Sequence, residues 1–290
     1  MSPQIQLKMH DSKATIIPNR GGLLTSLIVD GREVLFLPPD FSSRDSSWPG
    51  GGVPICFPFA GRVWNSGVLY QYRLGDQIYH MPLHGFAYAC EWQKVKQTDA
   101  QVHLSLAHSE ASLRLFPFEF ECQLTFTLGA TGIDIGLLIF NHSNHEMPVA
   151  LGWHPYFKIN QAATTQVGVP SAQYHVVTPN GAAGKIGDTN EFGQGPWAIE
   201  TPMMQSLIFT DLQKGFATLS LSDIKENIQI SFGPKDVFNH VVVWSNNLAE
   251  FYCVEPWMSL PDAVNIASGC QWLKPGKSLQ TLMSIQIKKP

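Results

Sequence analysis

Apolar and polar residues alternate one for one along much of this chain. In residues 101–107, QVHLSLA, the apolar set Val102, Leu104 and Leu106 falls on one face. Leu124, Phe126 and Leu128 do the same in CQLTFTL (122–128), and Ile133, Ile135, Leu137 and Ile139 in GIDIGLLIF (132–140). The pattern returns in FATLSLS (216–222), NIQISF (227–232) and TLMSIQI (281–287). Successive side chains of an extended chain point to opposite faces, so this period predicts antiparallel strands with one face buried. The 24 glycines and 20 prolines are spread between the strand patterns as turn residues rather than pooled in one linker. No long amphipathic helix and no short-period repeat is visible. Residues 160–205 are rich in Gly, Thr, Ala and Pro. With strand patterns on both sides, they read as long loops with short strands over one end of a sandwich, in preference to an interdomain linker. The expected fold is all-β: a large antiparallel β-sandwich of many strands, residues 1–290 forming a single domain.

Composition narrows the function. At 290 residues and 44% hydrophobic, the chain can bury a sizeable core. Charged residues make up 14%, and the net charge is −4, without clusters of Lys and Arg, which speaks against a nucleic-acid partner. No stretch approaches the length of an apolar membrane-spanning helix, and the first residues, MSPQIQLKMHDSK, lack the apolar core of a secretory signal. The five cysteines, Cys56, Cys90, Cys122, Cys253 and Cys270, are odd in number, widely spaced and without a CxxC pair. Reduced thiols in a cytoplasmic protein are the expectation.

Several polar residues stand in apolar company. In VPICFPFAGRVWNS (53–66), Arg62 and Asn65 follow an apolar run, and Arg62 offers a planar fork of donors. In HMPLHGFAY (80–88), His84 precedes Gly85, a residue that permits a tight turn or close backbone approach. His80 and His84 have helical metal-pair spacing, but Pro82 and Gly85 argue against a helix. NHSNHEMP, with His142, His145 and Glu146, reads as a polar turn. In LGWHPYFKI (151–159), His154 sits among Trp153, Pro155, Tyr156 and Phe157. It is either a packed core imidazole or a catalytic one. Glu255 ends the apolar run of EFYCVEPW (250–257), where partial desolvation would raise its pKa toward that of a general base at neutral pH. A buried glutamate bonded to backbone amides is the structural alternative. Trp48, Trp64, Trp153, Trp244 and Trp257 fall in or near these segments, and flat rings beside donors suit a sugar as well as a core. No nucleophile elbow, P-loop or dinucleotide fingerprint is present.

Taken in order, PICFPFAGRVWN, PLHGFA, RLFPFEFECQLTFTL, LGWHPYF, CVEPWMSLPDAVN and the LKPGKS turn resemble the aldose 1-epimerase (galactose mutarotase-like) family over roughly residues 50–280. The resemblance implies that family's β-supersandwich and an acid/base isomerase needing no cofactor or metal. It implies His154 as general acid and Glu255 as general base. His84, Arg62, Asn65, Asp211, Trp153 and Trp257 would then contact the sugar. Two positions depart from the family pattern. Ser66 stands where an arginine follows the asparagine, and Ser206 stands near the place of a sugar-orienting aspartate, with Asp211 five residues on. A hexose-6-phosphate branch shares GGVPICFPFAG, but its two arginines are replaced here by Pro49 or Gly50 and by Tyr88, with Arg44 close to the first. The expectation is an unphosphorylated hexose as the small-molecule partner. The alternatives are a hexose-6-phosphate 1-epimerase and a carbohydrate-binding or sensor protein without turnover. A monomer or weak homodimer, with no nucleic-acid or membrane partner, completes the sequence reading.

Overall fold

The computed structural model describes residues 4–200, 206–234, 237–266 and 269–289. Each of the six alternating segments forms a strand: Gln101–Ala107, Phe120–Leu128, Gly132–Asn141, Phe216–Leu221, Glu226–Gly233 and Ser278–Lys288. All six belong to one nine-stranded antiparallel sheet, in which Gly132–Asn141 lies between Phe120–Leu128 and Ser278–Lys288. Their alternate residues are buried as the pattern requires; Ile133, Ile135 and Ile139 have no exposed surface. Each such side chain contributes roughly 1.5–3 kcal/mol over its exposed state.

A second antiparallel sheet, of eight strands, holds Ser171–Val177, Leu207–Leu212, His240–Trp244, Phe251–Trp257 and Gly152–Trp153 side by side. Leu207, Phe209, Val241, Val243, Tyr252 and Val254 from this sheet share one apolar cluster with the inward residues of the first. The two sheets therefore enclose a common core, and the fold is the all-β antiparallel sandwich expected. A four-stranded sheet, Ile5–Met9, Ser12–Ile17, Leu23–Val29 and Arg32–Glu33, also contributes to that core. One α-helix is found among the described residues, Glu110–Leu115, where Ser109 caps the first turn by accepting from the N–H of Ser112. No helix among the described residues is long and apolar enough to cross a membrane.

Residues 160–205 carry more strand than the sequence suggests. Thr165–Gly168 and Trp197–Ala198 edge the nine-stranded sheet, and Ser171–Val177 and Ala183–Asp188 edge the eight-stranded one. The segment passes between the two layers, and its glycines and threonines mask short, poorly alternating edge strands. Residues 201–205 lie outside the described residues.

The strand Phe251–Trp257 is buried on both faces. Tyr252 and Val254 face the sandwich core. Cys253 and Trp257 belong to two smaller clusters on the opposite face, the first with Tyr156 and Phe251, the second with Cys56, Ile208 and Val242. Glu255, two residues from each, shares that outer face. Here the chemistry collects.

Candidate active site

A cleft of about 820 Å³ opens on the outer face of the eight-stranded sheet, and His84, His154, Glu255, Arg62 and Trp257 all line it. Glu255 stands opposite Val242 in the register of the two central strands. Its Oε2 accepts a hydrogen bond from Trp257 Nε1 at 3.1 Å, two residues along the same face. His154 lies in the link between Gly152–Trp153, whose Gly152 pairs with Trp257, and Tyr156–Lys158, which pairs with Cys253, Tyr252 and Phe251. The sheet thus brings two sides of one strand region to bear on the same carboxylate: Nε2 of His154 is 3.4 Å from Oε1 of Glu255.

His84 arrives from a different direction. It has φ +61, and Gly85 has φ +77, so two successive left-handed residues turn the chain sharply. The turn packs so closely that a β-carbon on Gly85 would lie 2.0 Å from the carbonyl oxygen of Phe57. His84 and Gly61 bind each other twice: the His84 N–H donates to the Gly61 carbonyl at 2.9 Å, and the Gly61 N–H donates to His84 Nδ1 at 3.1 Å. With Nδ1 an acceptor, the proton of the neutral ring sits on Nε2. His84 therefore presents a fixed donor edge.

Aromatic rings hold both imidazoles. Tyr156 stacks on His154 at 4.7 Å between centroids, and Trp244 meets it edge-on. Trp48 stacks on His84 at 4.5 Å, touches His154 edge-on at 5.2 Å, and donates from Nε1 to the Tyr156 hydroxyl at 2.9 Å. The relative exposures are 8% for His84, 5% for His154 and 1% for Glu255. Burial sets the protonation. It pushes Glu255 well above the usual carboxylate range, against the opposing hydrogen bond from Trp257. Burial also holds His154 well below the ordinary histidine value, with His84 adding to the effect. His84 is lowered to about 3, first by burial and then by the nearby Arg62 charge. Both members of the His154–Glu255 pair are thus biased toward their neutral forms. Nδ1 of His154 and Oε1 of Glu255 are buried without a hydrogen-bond partner; the 3.4 Å approach of Nε2 to Oε1 is an ion-pair distance and not a hydrogen bond.

Arg62 is the one Lys or Arg among the described residues lining the cleft. The turn joining Ser171–Val177 to Ala183–Asp188 crosses it so closely that a β-carbon on Gly181 would lie 2.7 Å from its Nη1. The loop segment 160–205 thus reaches the cleft through Val177, Thr178 and Gly181.

Three residues expected at the site lie elsewhere. Trp153 has no exposed surface and belongs to the sandwich core, because its neighbour His154 faces the cleft and adjacent residues of an extended chain point apart. Asn65 sits in the short hairpin Trp64–Asn65/Val68–Leu69 and lines a separate pocket with Arg73, Asp262 and Asn265. Asp211 is exposed, with φ +53 near the end of Leu207–Leu212, and is not a cleft residue. Ser206 and Ile208, sharing one face of that strand region, reach the cleft instead. Sequence reasoning underweighted Trp48, Tyr156 and Trp244. Trp48 had a signal: a large aromatic between SerSer and ProGlyGly, a polar loop setting that offers no core to fill.

The family model for aldose 1-epimerase matches residues 3–286. No curated protein matches the chain. Among solved structures, a protein from Synechocystis sp. PCC 6803 is 26% identical, with a TM-score of 0.89 over 100% of this chain and 97% of its own. A galactose mutarotase-like protein from Lactobacillus casei ATCC 334 is 24% identical, with a TM-score of 0.84 over 99% of this chain and 100% of its own. A galactose mutarotase-like protein from Clostridium acetobutylicum is 22% identical, with a TM-score of 0.84 over 99% and 95%. The last two likenesses speak to the fold.

Proposed function

The chain belongs to the aldose 1-epimerase family, and on that premise we propose that it interconverts the α and β anomers of an unphosphorylated hexose by opening and reclosing the ring. The observation that carries this reading is the approach of His154 Nε2 to Glu255 Oε1 within 3.4 Å in a buried, aromatic-walled cleft. Ring opening removes a proton from the C1 hydroxyl and delivers one to the ring oxygen. Both oxygens are bonded to the same carbon, so one acid and one base grouped in a single cleft, as these two atoms are, can serve both.

In the proposed cycle Glu255 takes the hydroxyl proton while His154 protonates the ring oxygen. The aldehyde rotates about C1–C2 and closes on its other face as the two groups exchange roles. The pair carries one proton throughout. With the ring open, that proton lies on Glu255 and His154 is neutral, which is the distribution burial favours. Desolvation thereby stabilises the pair at the open-chain stage relative to the charged pair that precedes it. The Nε2–H of His84 is a donor for a sugar oxygen, and the indole of Trp48 offers an apolar wall to the C–H face of the ring. A lone Arg62 suits a hydroxyl better than a phosphate dianion, which calls for several fixed cations.

The test is polarimetry on freshly dissolved α-D-glucose and α-D-galactose, with hexose 6-phosphates alongside. The protein should speed the approach to anomeric equilibrium of a free hexose. His154→Ala and Glu255→Gln should each lower kcat by about 10²–10⁴-fold with the fold intact. Near-full rate in either variant would remove the acid/base assignment, and sugar binding without any acceleration would favour a binding protein.

A further inference from the structure

Behind the acid/base pair lies a thiol that the proposed reaction does not use. Cys253 is fully buried on the strand Phe251–Trp257, two residues before Glu255 and on the same face. One ligand atom from each of His154, Cys253 and Glu255 lies within 4.8 Å of the others, the one such group among the described residues. We propose that these three side chains form a binding site for a thiophilic divalent cation of the zinc class, and that an ion held there shuts the cleft to sugar.

Four observations support it. The donor set of imidazole, thiolate and carboxylate is the mixture that selects zinc over magnesium or calcium, which take oxygen. The 3.4 Å between His154 Nε2 and Glu255 Oε1 equals the edge of a zinc tetrahedron, since ligand atoms about 2.1 Å from the metal at the tetrahedral angle lie about 3.4 Å apart. Oε1 of Glu255 and Nδ1 of His154 are buried without a hydrogen-bond partner, so the carboxylate oxygen that faces the imidazole forfeits no existing bond on ligation. Finally, a dication with one thiolate, one carboxylate and one neutral imidazole is uncharged overall, whereas the two anions alone would be costly in this burial. Three protein ligands leave a fourth position toward the cleft.

The site is inhibitory rather than a resident cofactor site. His154 Nε2 and Glu255 Oε1 are the atoms assigned to the proton transfers, so an ion bonded to them and a reacting sugar exclude each other. This consequence rests on the epimerase reading; the binding of the ion does not.

The experiment uses the full chain, stripped with a chelator and titrated with Cd²⁺ while the thiolate-to-metal absorption in the ultraviolet is followed. One ion per chain should bind with such a band. Cys253→Ala should lose the band and bind at least about tenfold more weakly, although Cys56, Cys90, Cys122 and Cys270 remain. Glu255→Gln, which keeps the thiol and the side-chain shape, should weaken binding as well and guards against a Cys253→Ala protein that fails to fold. In the anomer assay Zn²⁺ should inhibit the unmodified protein, chelator should restore it, and Cys253→Ala should turn over with little response to Zn²⁺. Absence of the band in the unmodified protein, or an unchanged band in Cys253→Ala, overturns the proposal. A band with no anomerase activity leaves the metal site standing and removes the epimerase reading; activity without a band does the reverse.

Discussion

Glu255 is held in a form that an unfolded glutamate would not keep. In the unfolded chain it ionises near pH 4.3, whereas burial raises it well above that in the fold. Between those two values the folded protein binds a proton that the unfolded chain has released. Stability is therefore lost as pH rises through this window. Glu255→Gln removes the ionisation and keeps the shape. The variant should melt at a higher temperature than the parent at pH 8, and the two should converge below about pH 4.3. Thermal unfolding at the two pH values decides it, and equal melting temperatures at pH 8 would show that the carboxyl is not desolvated. Such a variant would be more stable and inactive, the trade expected where a site is built against its own folding preference.

The turn carrying His84 and the strand carrying Glu255 position their side chains by different means. The strand needs only its register with His240–Trp244 and its alternation. The turn needs Gly85, whose φ is +77 and whose missing β-carbon admits the carbonyl of Phe57. Gly85→Ala forces the turn away from Phe57 and carries the His84–Gly61 hydrogen bonds with it. A loss of about 1–3 kcal/mol from backbone strain alone is expected, with more from the clash and a fall in anomerase rate. Gly75→Ala is the control: φ there is +56, but nothing lies within 4 Å of the added carbon. Urea unfolding of both should rank Gly85→Ala as clearly the more damaged, and equal losses would refute the close-approach argument.

At the scale of the molecule, three imidazoles among the described residues are kept neutral by burial: His154, His84 at about 3 and His240 at about 4. As pH falls below about 6.5, the unfolded chain protonates all three and the folded protein resists. Glu255 works the other way, being protonated in the fold and ionised in the unfolded chain until about pH 4.3. Among these four groups unfolding takes up a net two protons, three less one. Their stability contribution then falls by up to about 2.7 kcal/mol per pH unit as pH drops through that window. Urea midpoints at pH 7.5, 6 and 5 should decline steeply, and His240→Gln, away from the proposed chemistry, should flatten the decline. A flat profile in the parent would mean the imidazoles are not buried neutral. The same scale separates what local pattern carries from what folding adds. The nine-stranded sheet was legible because alternation is a local property: Ile133, Ile135 and Ile139 announce a buried face with no knowledge of their partners. His84, His154 and Glu255, which line one cleft, stood out in the sequence through their apolar settings and the family motifs. The cleft itself was not. His84, His154 and Glu255 are far apart in sequence, and only strand pairing and a glycine-dependent turn bring them together. Parity, which no motif states, sent Trp153 to the core and His154 to the cleft. A left-handed residue near a strand end left Asp211 exposed while Ser206 took the cleft, and long-range packing placed Trp48 over both imidazoles. A side chain's surroundings depend on which distant segments pack beside it, and local periodicity holds no record of them.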